Sequence, residues 1–163
     1  LDRAALTAYM GTHYTAANTV IAVAGKNESV QKYFEKMIAN GKIPNNIDFH
    51  LFGFTNDICE LYRAADVFVT KAGPNAILDS VFMHTPIIVN YWATPIEHFT
   101  KKMFIDLLGC GETIQDKKDC RKRVEQFAAN PGILDKYIEK TLAFDKTKNG
   151  GKQIADLIFN ELH

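Results

Sequence analysis

Between Ala65 and Asn90 the chain runs Ala-Asp-Val-Phe-Val-Thr-Lys-Ala-Gly-Pro-Asn-Ala-Ile-Leu-Asp-Ser-Val-Phe-Met-His-Thr-Pro-Ile-Ile-Val-Asn, and this stretch limits the possible folds most. A short apolar run, Asp66 to Thr70, breaks at Lys71-Ala72-Gly73-Pro74. Ile77, Leu78, Val81 and Phe82 then recur at helical spacing, and a second apolar run spans Pro86 to Val89. The pattern predicts strand, tight turn, helix, strand. Gly73 is free to take positive φ and lets another backbone or a ligand approach closely, while Pro74 is pre-set for the first helical position. The turn therefore aims a helix N-terminus at the carboxyl end of the strand. In an open parallel sheet that is where a ligand crevice forms, and the unpaired N–H groups there suit an anion. Asp79 lies four residues after Asn75, one turn further along the same helical face. An N-terminus for phosphate with a carboxylate one turn deeper suits a nucleotide diphosphate with its ribose. Taken alone, the pattern is also ordinary α/β architecture.

The same alternation runs through the rest of the chain. Leu1 to Asn18 reads as a helix with Leu6, Tyr9 and Met10 on one face. Thr19 to Ala24 is a β-branched run with the signature of a strand buried on both faces, ending in the turn Gly25-Lys26-Asn27. Val30, Tyr33, Phe34, Met37 and Ile38 form a helical stripe over Ser29 to Asn40, stopped by Gly41 and Pro44. Asp48 to Phe52 is a short strand leading into Gly53-Phe54-Thr55-Asn56, with Asn56 as the expected N-cap of a helix through Arg63. After Asn90 comes an irregular stretch from Tyr91 to Ile96, then a helix from about Glu97 to Leu108 closed by Gly109-Cys110-Gly111. Glu112 to Gln115 reads as a last strand. Asp116 caps a helix over Lys117 to Asn130, Pro131 opens another through about Phe144, and Gly150-Gly151 precede a terminal helix ending at Leu162. Strands alternating with helices imply α/β: a Rossmann-like parallel sheet with helices on both faces and right-handed crossovers. The turns at Gly25, Gly53, Lys71 and Asn90 then share one edge, where a small-molecule site is expected. No repeat or linker divides residues 1–163, which read as one domain.

Charge and cysteine usage exclude several classes. Nineteen basic and nineteen acidic side chains cancel over 163 residues, so no basic field is available to hold nucleic acid or an anionic membrane. No apolar run approaches a membrane span, and the N-terminus has no signal-peptide pattern. Cys59, Cys110 and Cys120 are odd in number and lack C-x-x-C spacing, and His13, His50, His84, His98 and His163 are scattered. Free thiols in a reducing, cytoplasmic compartment are expected, with no metal site and no cofactor.

Gly-Lys-Asn after a buried strand, Phe-Gly-Phe and a short helix ending in Ala-Ala-Asp, then Thr-Lys-Ala-Gly-Pro with a carboxylate one turn into the helix, occur here in that order. In this combination the chain resembles the C-terminal, donor-binding domain of GT-B glycosyltransferases, in the group of MurG, monogalactosyldiacylglycerol synthases and diacylglycerol glucosyltransferases. The resemblance covers nearly the whole chain and is strongest from Leu51 to Asn90. It implies one half of a GT-B fold that holds a UDP-sugar as donor substrate, with a separate N-terminal half for a lipid or lipid-linked acceptor. Gly25 then lies in the first turn at the nucleotide edge, Phe54 and Thr55 border the uracil, and Lys71, Gly73, Pro74 and Asn75 belong to the phosphate turn. Asp79 stands where relatives usually have a glutamate bridging the ribose hydroxyls, a role suited to a carboxylate acceptor. Glu97 and His98 fall on the family's sugar-recognising Gln-Glu pair, with Lys101 over its asparagine. A shift of one residue instead puts Glu97 on the glutamate and Thr100 on the asparagine.

The resemblance also implies inverting transfer, with the departing UDP stabilised by the helix N-terminus near Pro74 and no metal, and with the base on the other half. The catalytic residue is therefore unknown from this sequence. The chain departs from the family at Asn75-Ala76, at Asp79 and at the Gln-Glu pair, and the glycine-rich loop and first strand of the domain are expected to be absent together with the N-terminal half. Two further readings stand beside this one: a non-catalytic nucleotide-sugar or partner-binding module, completing a catalytic subunit on a membrane-associated partner chain, and a sugar-nucleotide epimerase. The expected location is cytoplasmic or peripheral at the cytoplasmic membrane face.

Overall fold

The computed structural model describes residues 18–144 and 150–161. The helix expected over Leu1 to Asn18 lies outside the described residues, except for Asn18, which opens the first strand. Strand β1 (Asn18–Gly25) pairs in parallel with β2 (Ile47–Gly53) across helix α1 (Glu28–Ala39). Asn27 starts α1 by accepting from the Val30 N–H at 3.2 Å, the role for which asparagine is favoured at an N-cap. The helix then lays Phe34 and Met37 on Val20, Ala22 and Ile47. Because α1 covers that face, β1 is not buried evenly: Val20, Ala22 and Ala24 are buried, while Ile21 and Val23 are half-buried.

A second parallel sheet has the order β3 (Phe68–Lys71), β4 (Ile87–Tyr91), β5 (Gly111–Thr113). Helix α3 (Pro74–Phe82) joins β3 to β4. Helix α4 (Pro95–Lys101), continued by π-helical turns over Lys102–Leu107, joins β4 to β5. Ile77, Val81, Ile105 and Cys110 pack with Ile87 and Val89 on one face. On the other, Cys120 and Phe127 of α5 (Lys117–Ala129), Leu134 of a 3-10 turn (Pro131–Leu134) and Tyr137 of α6 (Asp135–Ala143) pack on Ile88. Strand β4 is thus buried on both faces, as its unbroken Ile-Ile-Val run predicts. A last helix, α7, spans Gly150–Glu161.

The fold is α/β with parallel strands flanked by helices, as expected, and among the described residues the strands lie in two sheets rather than one continuous sheet. Helix α2 (Ile58–Ala64), which follows β2, ties the chain to the second sheet. Its Tyr62 packs on Phe68 with ring centroids 4.6 Å apart, and the Tyr62 carbonyl accepts from the Thr85 hydroxyl at 2.6 Å. Strand β3 pairs with β4, and among the described residues no strand pairs with the remaining edge of β1. The start of α2 also differs from expectation. Asp57, not Asn56, holds the N-cap position, and the Thr55 hydroxyl accepts from the Asp57 N–H at 3.0 Å in a local turn that leaves Asn56 in the loop.

Candidate functional site at the carboxyl ends of the strands

The turn after β3 is closed by backbone bonds: the Ala72 N–H donates to the Tyr91 carbonyl at 2.9 Å and the Gly73 N–H to the Lys71 carbonyl at 2.8 Å. Gly73 is the N-cap of α3 with φ −66° and ψ 127°, so the positive φ open to it is not used. What glycine leaves here is room, because the nearest atom to a Cβ at this position would be Lys71 Cε, at 3.8 Å. Pro74 occupies the start of α3 as expected. Among the described residues no side chain caps this helix, which suits the first-turn N–H groups to a ligand. Asn75 is exposed in that first turn and Asp79 is half-buried in the next. Asp79 lies beside Tyr62: burial first, then the Asp79 charge, then Cys59 push the Tyr62 phenol up to about 12.

Glu97 joins this turn to the loop after β4. Its Oε1 accepts from Lys71 Nζ at 2.7 Å, and its Oε2 accepts from the Ala93 N–H at 2.7 Å and the Thr94 N–H at 3.3 Å. Thr94 Oγ1 accepts in return from the Glu97 N–H at 3.2 Å, completing a capping box at the start of α4. The Glu97 side chain is only 9% exposed. The Lys71 hydrogen bond first, then that of Ala93, outweigh burial and hold the Glu97 carboxyl below the usual carboxylate range. Both oxygens are therefore committed to the chain's own donors.

His98 is exposed and stacks on Trp92, with centroids 5.9 Å apart and planes 13° from parallel. Lys101 Nζ lies 5.1 Å from the Trp92 ring centroid and pairs with Asp106 at 2.7 Å. The Thr100 hydroxyl is buried and donates to the Ile96 carbonyl at 2.9 Å. Of the two residues aligned with the family asparagine, Lys101 is thus the one associated with the Trp92–His98 stack.

The remaining expected residues gather at the end of the first sheet. Gly25 takes φ 58°, the left-handed turn that glycine allows, and is the register partner of Gly53. Phe54 is 64% exposed, with Lys26 Nζ 4.8 Å above its ring. Thr55 follows in the turn already described. The expected residues thus form two groups, Gly25, Phe54 and Thr55 at one sheet end, and Lys71, Gly73, Pro74, Asn75, Asp79, Glu97 and His98 at the other.

The register of both sheets slips at this end, in β1 between Val23 and Gly25 and opposite Asn90 in β4. Such bulges re-aim side chains and are frequent next to functional sites. Asn90 was not among the expected contact residues. It is buried, and neither its amide nitrogen nor its amide oxygen has a hydrogen-bond partner among the described residues. A polar residue interrupting an otherwise apolar buried strand is the sequence signal for it. Lys26, inside the Gly-Lys-Asn turn, is the other addition, and its distance from Phe54 in sequence hides the contact. Among the described residues, no group of three or more His, Cys, Asp or Glu is placed to hold a metal ion. Among them, no helix is long and apolar enough to cross a membrane.

Parallel strands whose carboxyl ends carry glycine turns and an uncapped helix N-terminus place the chain among Rossmann-like α/β proteins. More narrowly, it belongs to the glycosyltransferase family 28 C-terminal domain family, whose model matches residues 5–96. It is 22% identical over 144 residues to a processive diacylglycerol beta-glucosyltransferase of Bacillus mycoides, covering 88% of this chain and 36% of the relative. It is 28% identical over 109 residues to monogalactosyldiacylglycerol synthase 1, chloroplastic, of Arabidopsis thaliana, covering 67% of this chain and 19% of the relative. The chain therefore spans about a third and a fifth of the lengths of these relatives. A crystal structure of the glycotransferase of kitacinnamycin superposes with TM-score 0.58 at 18% identity, over 93% of this chain and 45% of that one, a likeness of fold.

Proposed function

We propose that this chain is the donor half of a glycosyltransferase that moves a hexose from a UDP-sugar to a lipid or lipid-linked acceptor. The reading rests above all on the Lys71–Asn75 turn, which presents the uncapped N-terminus of α3 with Asp79 one turn deeper, inside the region matched by the family. In this reading the diphosphate lies against the N–H groups of that first turn, where positive partial charge favours an anion. Asp79 accepts from the ribose hydroxyls, and Phe54 and Thr55 border the base. Attack of an acceptor hydroxyl on the anomeric carbon forms the new glycosidic bond and breaks the bond to the UDP oxygen, with inversion. The negative charge left on UDP is stabilised by the same N-terminus, and the base that takes the hydroxyl proton belongs to an acceptor half. That half is either a further domain or a membrane-associated partner chain, and the reaction takes place at the cytoplasmic face of the membrane that carries the acceptor.

Calorimetry of the full-length protein with UDP tests the reading. Binding is expected, with Asp79→Ala losing roughly 1.5–3 kcal/mol, the range for hydrogen bonds involving a charged group. Equal affinity of the Asp79→Ala variant removes Asp79 from the site, equal affinity for ADP removes the base-reading role of Phe54 and Thr55, and no UDP binding at all removes the donor reading.

A further inference from the structure

Lys71 and Glu97 are 26 positions apart in sequence, on opposite sides of the β3–α3–β4 unit, yet their charged ends meet at 2.7 Å. The lysine stem crosses the N-cap of α3, with Cε 3.8 Å from where a Cβ on Gly73 would sit. Its ammonium group thus stands next to the open end of the helix. Only one of its three N–H donors is engaged by Glu97, and its side chain is 61% exposed. Glu97, by contrast, is buried and pinned from the other side by two backbone N–H groups of the loop after β4. A flexible four-carbon side chain on the surface ordinarily samples many rotamers, and fixing it costs conformational entropy. Here a rigid carboxylate has already fixed it.

We propose that Glu97 is a positioning residue: it holds the Lys71 ammonium over the N-terminus of α3, so that the two remaining N–H donors meet the terminal phosphate of a nucleoside diphosphate. This rests on the donor reading above and adds to it that Glu97 acts through Lys71 and does not itself touch the sugar. The arrangement also couples the phosphate turn to the loop carrying Trp92, because the same carboxylate organises Ala93 and Thr94.

The test compares UDP with UMP, which lacks the second phosphate, by calorimetry on the full-length protein. Glu97→Gln keeps an oxygen for the Ala93 and Thr94 N–H groups but removes the ion pair. It is expected to weaken UDP binding about tenfold, the size of one charge-assisted contact, while UMP binding changes less than about twofold. Lys71→Met, at an exposed side chain, is expected to give the same UDP-selective loss, and adding Glu97→Gln to it no further loss. An equal loss for UDP and UMP marks Glu97 as merely structural and overturns the proposal. So does unchanged or tighter UDP binding by Glu97→Gln, which would mean that the carboxylate is indifferent to, or competes with, the phosphate. If the unsubstituted protein binds UDP and only the selectivity is missing, this inference fails alone; if it binds neither nucleotide, the donor reading fails and takes the inference with it.

Discussion

Glu112 is the residue whose replacement is expected to loosen the second sheet most selectively. It sits on β5, opposite Ile88 of β4, and its carboxylate is gripped from two helices: Arg123 of α5 approaches both oxygens, with Nε at 2.8 Å from Oε2, and the Tyr137 hydroxyl of α6 donates to Oε1. Burial works against the charged form, but the hydrogen bonds from Arg123 and Tyr137, with the Arg123 charge, outweigh it and hold the carboxyl below its ordinary 4.5. Hydrogen bonds to a charged group contribute roughly 1.5–3 kcal/mol. Both partners are about a quarter exposed, so water replaces part of what is lost. Glutamine also still accepts at one oxygen. Glu112→Gln is therefore expected to cost about 2 kcal/mol at neutral pH, a fall of roughly 4–8 °C in melting temperature for a domain of this size. The folded carboxyl has the lower pKa, so its stabilisation is complete above the unfolded value and disappears as pH falls through the folded one. Urea unfolding followed by circular dichroism, from pH 7 down to pH 3, should show parent and variant far apart at neutral pH and converging in acid. A variant within about 0.5 kcal/mol of the parent at pH 7, or a gap that does not narrow in acid, refutes this account of how β5 is tied to its helices.

Two further outcomes follow from packing. Gly111→Ala is expected to destabilise the protein by at least about 2 kcal/mol in the same assay, because the added Cβ would meet the Ile87 carbonyl and force β5 away from β4; a loss under about 0.5 kcal/mol would show that the strands can separate freely. Burial pushes the thiols of Cys110 and Cys120 up to about 11, the first opposed slightly by Lys140, while Cys59 is half-buried. One thiol per chain should therefore react rapidly with an aromatic disulfide reagent at pH 8 in the native state, and fast reaction of all three would mean that the two core sites open readily.

Most elements were legible in the sequence because each carried its own local signal. Pro74 at a helix start, Asp116 accepting from the Lys118 and Asp119 N–H groups, and the Ile-Ile-Val run of a doubly covered strand all appear where the pattern predicts them. The start of α4 departs from the expected Glu97: it begins two residues earlier, at Pro95, where Thr94-Pro95-Ile96-Glu97 carries capping-box spacing with proline first. The resemblance assigns Glu97 to the sugar, whereas the geometry commits it to Lys71 and two backbone N–H groups. Sequence spacing carries no trace of the Lys71 partnership, since nothing local relates positions 71 and 97. Gly73 illustrates the opposite limit: glycine permits positive φ, but the turn needed only the space.

The division into two sheets was legible only in part: the resemblance leads one to expect a strand missing from the domain, but periodicity does not show which strands are left without a neighbour. Hydrophobic periodicity reports which faces of a strand are covered, and it does not report which strand lies beside it. The half-buried Ile21 and Val23 look, in sequence, no different from the fully buried Ile87 and Ile88. The consequence for the site is mechanical. With one continuous sheet, Phe54 and Asp79 would be held in relation by strand hydrogen bonds. With two sheets, helix α2 supplies part of that connection. It begins just after Thr55 and packs Tyr62 on Phe68, where burial first and then the Asp79 charge raise the pKa of the phenol. The Arg63 guanidinium also reaches Met83 Sδ at 3.6 Å, just beyond the end of α3. On the donor reading proposed above, a base bordered by Phe54 and a ribose held by Asp79 would be spaced in part through the packing of this short helix, of which the Tyr62–Phe68 contact is one element.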